Sequence, residues 1–144
     1  MPIKITILPY GSPDYQSAVT LRRAVLRTPL GLDFSADDLA REAGDTHFGA
    51  WMDDDLVGAV VMTPYSPGQV KLRQMAVSPD HQGCNIGGQL LSAFEANARS
   101  HAIGEIILAA RITAQGFYAR HGYQVDGDVF SEVTIPHIRM WKAL

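Results

Sequence analysis

The stretch Ser78-Pro79-Asp80-His81-Gln82-Gly83-Cys84-Asn85-Ile86-Gly87-Gly88-Gln89-Leu90-Leu91 constrains the chain more than any other. Residues 70–77 before it read as a strand. After it, Ile86, Leu90, Leu91, Phe94 and Ala98 fall at helical spacing, with Gln89, Ser92 and Arg99 opposite. Between the two lies a loop with three glycines, which exposes backbone N–H groups at the positive end of a helix and so suits phosphate oxygens. A packing turn without a ligand uses the same glycines. Two phosphate-binding patterns fail here: no Gly-Lys-Ser/Thr follows, and the glycines lack the spacing of a dinucleotide fingerprint.

The flanking chain supplies a sheet and helices. Ile3, Ile5 and Ile7 alternate with polar residues as a half-buried strand. Ser12-Pro13-Asp14 opens a helix expected to run to about Arg27, burying Ala18, Leu21 and Val25; Thr28-Pro29-Leu30-Gly31 breaks it. A short helix starts at Ser35, paired with Asp38 in a capping box, and stops at Gly44. Residues 47–52 and 56–62 read as a hairpin around Asp53-Asp54-Asp55, residues 63–68 as a loop, and 105–110 as a strand. Residues 114–121 follow as a helix, then two strands at 123–125 and 138–141. The order β-α-α-β-β-β-α-β-α-β-β predicts an α/β (α+β) chain of mixed strand pairing.

Within the strand 70–77, Val70 and Leu72 share one phase of the alternation, while Met75 and Val77 share the other. Either an extra residue near Arg73-Gln74 makes a β-bulge, or the strand is buried on both faces.

Composition narrows the class. At 144 residues, 47% hydrophobic and 19% charged, the chain reads as one globular domain, residues 1–144. A net charge of −3 with no basic stripe argues against nucleic acid. The apolar runs 56–62 and 106–110 are too short to span a membrane, and the N-terminus lacks a signal-peptide layout. With the single cysteine Cys84, this points to a cytoplasmic protein. Five histidines without ligand spacing predict no metal site.

Three motifs in order carry a resemblance. The loop resembles Gln/Arg-x-x-Gly-x-Gly/Ala, the coenzyme A pyrophosphate loop of the GNAT acetyltransferase superfamily, with Gln82 first, Gly87 last, and Asn85 at the usual middle glycine. Gly116-Phe117-Tyr118-Ala119-Arg120-His121-Gly122-Tyr123 is similar to its Phe-Tyr-x-x-x-Gly-Phe/Tyr motif. Residues 132–140, Glu-Val-Thr-Ile-Pro-His-Ile-Arg-Met, resemble the tail of a bacterial subgroup, Gly-Ile-Pro-His-x-x-Met. Asn tolerates left-handed backbone better than any other non-glycine residue.

The resemblance implies a mostly antiparallel sheet of six to seven strands with a bulged strand, flanked by about four helices. It implies an N-acetyltransferase that moves an acetyl group from acetyl-CoA directly to a primary amine of a small molecule or peptide. On that reading Gln82, Gly83, Cys84, Asn85, Ile86, Gly87 and Gly88 hold the pyrophosphate. Met75, Ala76 and Val77 pair with the pantetheine arm, with a main-chain oxyanion donor near Met75 or Ala76, and Tyr118 faces the sulfur as the acid. Many relatives place a glutamate base in the strand before the loop, where this chain has Arg73-Gln74; water, Glu132 or His137 are the alternatives. Asn85 and the missing glutamate leave a second reading, a catalytically weak or inactive acyl-CoA-binding or regulatory module. Acceptor specificity is expected from residues 22–38 and 130–137. Arg22, Arg23 and Arg27 read as a solvated helix face rather than an anion attractor, and a homodimer through the last strands is plausible.

Overall fold

The computed structural model describes residues 2–144. Its strands are β1 (Lys4–Leu8), β2 (Thr46–Met52), β3 (Asp55–Ser66), β4 (Gln69–Val77), β5 (Glu105–Arg111), β6 (Gln124–Val125), β7 (Phe130–Glu132) and β8 (Ile135–Ala143). They form one sheet in the order β1-β2-β3-β4-β5-β8-β6, with β7 also paired to β8. Every pairing is antiparallel except β4 with β5. The helices are α1 (Pro13–Leu26), α2 (Ala36–Ala40), α3 (Ile86–Ser100) and α4 (Gln115–Arg120).

The expected caps are present. The Ser12 hydroxyl accepts from the Tyr15 N–H at 3.1 Å, and Ser35 and Asp38 exchange both capping-box bonds. The bulge is present too. Across β3, Ala59 pairs with Ala76 but Val61 pairs with Arg73, so β4 carries one extra residue there, with Gln74 at φ +55°. The slip lets Val70, Leu72, Met75 and Val77 all pack against the large core under α3, around Phe48, Leu90, Phe94, Ile106 and Met140.

Three expectations need correction. The sheet has eight strands, because Phe130–Glu132, read as loop, pairs with β8. Residues 63–66 extend β3 instead of forming a loop; a register shift between Pro64 and Ser66 accommodates the proline. Along α1, Leu21 and Val25 are only half-buried, and the buried face is Tyr15, Ala18, Val19, Arg22 and Leu26. Arg22 is 0% exposed and lies in no solvated face. Its guanidinium pairs with the equally buried Glu42, whose Oε1 also accepts from the Tyr15 hydroxyl at 2.7 Å. Arg22 Nε donates to Gln74 Oε1 at 2.9 Å, so the pair reaches the bulge.

Candidate active site

The parallel ladder between β4 and β5 ends at Leu72–Leu108. β5 continues along β8 to Arg111–His137, while β4 turns at its bulge and stays on β3. The two neighbours therefore part beyond Leu72, leaving one edge of residues 73–77 free. Ser78 N–H donates to Val57 O at 2.8 Å. Because N–H direction alternates along an antiparallel strand, Ala76 faces β3, and Met75 and Val77 turn toward the open edge. Of the two expected oxyanion donors, only Met75 points into the gap.

A cleft of about 730 Å³ occupies the wider end of the gap. Its walls include Met75, Ala76, Val77, Gln82, Gly83, Asn85, Ile86, Gly87, Gly88 and Tyr118. Among the residues expected to hold coenzyme A, Cys84 alone does not line it: its side chain is exposed, one residue past the turn at Gly83.

Asn85 adopts φ +58°, the left-handed conformation that the missing glycine would supply, and stands as N-cap of α3. The first α3 amide paired along the helix is Gln89, on Asn85 O at 3.1 Å, so helix geometry leaves the N–H groups of Ile86, Gly87 and Gly88 without backbone acceptors. A Cβ on Gly88 would collide with the Asn85 side-chain amide, so the two residues suit each other. The cradle fits a pyrophosphate.

Tyr118 is 6% exposed and lies where this cleft meets a second cavity, lining both. Burial pushes its phenol pKa well above the ordinary value, so the hydroxyl keeps its proton and acts as a donor.

The second cavity, about 110 Å³, lies between the end of α1 and the β7–β8 hairpin. Glu132 and His137 both line it, and His137 is 3% exposed. His137 Nδ1 lies 3.0 Å from Ile135 O. A carbonyl only accepts, so Nδ1 carries the proton and a neutral ring has its free lone pair on Nε2. Glu132 Oε2 is 3.7 Å from that nitrogen. Gln74, Arg27 and Arg111 complete the polar lining.

The sequence of residues 30–144 matches the profile of the acetyltransferase (GNAT) domain family. The chain belongs to the GNAT acetyltransferase family. "Uncharacterized N-acetyltransferase YjcF" from Bacillus subtilis (strain 168) is 34% identical over 76 residues. That match covers 52% of this chain and spans about half, 54%, of the relative's length. A crystal structure of a protein from Lactobacillus plantarum shares the fold at TM-score 0.86, with 24% identity over 99% of this chain and 98% of that one. The PaiA N-acetyltransferase from Thermoplasma acidophilum, solved in complex with coenzyme A, does so at TM-score 0.78, with 18% identity and full coverage of both chains.

Sequence reasoning missed several cleft residues of this acetyltransferase domain. Val25, His81, Thr113, Ala114, Phe117 and Arg120 also line the cleft. Phe117 and Arg120 lie three residues apart in α4, on one face of the helix, and that spacing was the available signal for them. Among the described residues, no helix is long and apolar enough to cross a membrane.

Proposed function

We propose that this domain is an N-acetyltransferase that uses acetyl-CoA and transfers its acetyl group directly to a primary amine. The observation that carries the reading is the position of Tyr118: its side chain lines both the cofactor-sized cleft and the small cavity holding His137, so the two meet at one donor. Acetyl-CoA supplies the acetyl group: a C–N bond forms at its carbonyl carbon as the C–S bond breaks, the amine gives up one proton, and the sulfur takes one up.

The amide groups at the start of α3 bind the pyrophosphate, and the free edge of β4 pairs with the amide-rich arm. The Met75 N–H faces the carbonyl oxygen as charge develops on it. Nε2 of His137 takes the amine proton, and Glu132 steadies the imidazolium that results. Tyr118 donates to the departing thiolate. Its raised pKa favours a hydrogen bond from the phenol over full loss of its proton.

Thiol release from acetyl-CoA in the presence of an amine panel tests this. The reading expects release that depends on the amine; binding of acetyl-CoA without release for any amine would favour the regulatory module. Tyr118→Phe is expected to lower kcat by about 10²-fold or more and leave CoA affinity within about twofold. Full activity in that variant would remove Tyr118 from the acid role. His137→Gln should lower kcat by about 10²-fold or more, as loss of a positioned base does. An unchanged rate would return the proton to water.

A further inference from the structure

The small cavity beside Tyr118 has an excess of positive charge that the acetyl-transfer chemistry does not use. Arg27 caps the C-terminal end of α1, and Arg111 ends β5. Both guanidinium groups converge on one carbonyl: Arg111 Nη2 donates to Leu26 O at 2.7 Å and Arg27 Nη1 to the same oxygen at 3.2 Å. Arg27 also lies over the Phe34 ring, 4.8 Å from its centre. Both arginines are half-buried.

The ion pairs among the described residues are Arg22–Glu42, Arg23–Asp33, Arg99–Glu95, His137–Glu132 and Lys142–Glu95, so neither Arg27 nor Arg111 has a carboxylate partner. The acids nearby are otherwise engaged. Glu132 faces His137, Asp33 holds Arg23, and Asp38 closes the capping box. Arg73 adds a further positive group in the recess that adjoins Arg27.

Burial lowers the pKa of both arginines, and for Arg27 repulsion by Arg111 contributes as well. Two like charges held together and half-dehydrated are unfavourable unless an anion joins them. A guanidinium offers five N–H donors in a fork that matches a carboxylate, and a single carbonyl uses few of them.

We propose that the acceptor is a primary amine that also carries a carboxylate, as an amino acid does, and that Arg27 and Arg111 hold this carboxylate in the cavity. The carboxylate then anchors the acceptor opposite β4, with its amine free to reach His137 and the open edge at Met75. Arg111 is a binding residue on this account, and its position follows from the parting of β5 from β4. The proposal rests on the acetyl-transfer reading and narrows it to one acceptor class.

Matched pairs separate the two. The wild-type protein is supplied with acetyl-CoA and either the standard amino acids or their C-terminal carboxamides, and thiol release is followed with mass detection of the product. The acid of the best pair is expected to exceed its amide in kcat/KM by about tenfold or more, the size of a charge-assisted hydrogen bond. Arg27→Gln and Arg111→Gln should each erase most of that preference and leave the KM for acetyl-CoA within about twofold, with Arg111→Lys restoring part of it. Carboxamides turned over as well as the acids would overturn the proposal while leaving acetyl transfer intact. Thiol release with neither set, despite tight CoA binding, would overturn both. The wild-type comparison does not depend on any variant folding.

Discussion

Glu42→Ala is expected to destabilise the protein by about 3–5 kcal/mol, the usual cost of stranding one member of a buried ion pair. Arg22 has no exposed surface, and Glu42 supplies both oxygens that face its Nη atoms. Removing the carboxylate leaves a guanidinium in the core with Gln74 as its remaining side-chain hydrogen-bond partner, and leaves the Tyr15 hydroxyl unpaired. Burial, with the same carboxylate, holds the Tyr15 pKa well above its ordinary value, so that phenol remains a donor throughout the neutral range. Replacing both charges together, as Arg22→Met with Glu42→Met, should recover much of the loss because no charge is then left unpaired. Denaturant unfolding of the three proteins measures the difference. A Glu42→Ala midpoint equal to that of the wild type would mean that the pair is not buried as described.

Gly87→Glu is expected to weaken CoA binding by about 100-fold or more without a comparable loss of stability. A Cβ at Gly87 would lie 3.3 Å from two atoms of the Phe117 ring and 3.7 Å from Met75 Sδ, a tight but tolerable fit in the wall of the cleft. The added carboxylate points negative charge at the place proposed for the pyrophosphate. At an effective dielectric of 20, each such pair of charges 4 Å apart costs about 4 kcal/mol. At the start of α3 an acid is otherwise favourable to the helix dipole, so the fold should gain slightly if anything. Calorimetric CoA titration beside thermal unfolding separates the effects. Unchanged affinity would place the pyrophosphate elsewhere.

Much of the fold was legible because local rules and tertiary structure agree. Ser12, Ser35 and Asp38 cap in the structure as their spacing predicts. The phase slip between Leu72 and Met75 marked the bulge, since four apolar side chains must reach one core from a strand with an odd residue inserted. Asn85 at a glycine position pointed to a left-handed residue, and the backbone has one there.

What escaped sequence reading depends on distant partners. Arg22 looks like a surface helix residue because arginine is seldom buried unpaired, and its partner lies twenty residues away. Phe130–Glu132 is too short to show a period, and only β8 makes it a strand. Arg111 ends an apolar strand that meets Arg27 only after β4 and β5 have parted, so no local pattern could join the two.

In the proposed reaction the acetyl group passes directly from acetyl-CoA to an amine at the junction guarded by Tyr118. A single-turnover experiment with isotopically labelled acetyl-CoA can follow free thiol, the mass of the amine and the intact mass of the protein together. Direct transfer gives one acetylated amine for each thiol released, no acetyl group on the protein, and no thiol without the amine. Thiol released at the same rate with and without amine, or label retained on the protein in place of the amine, would contradict it.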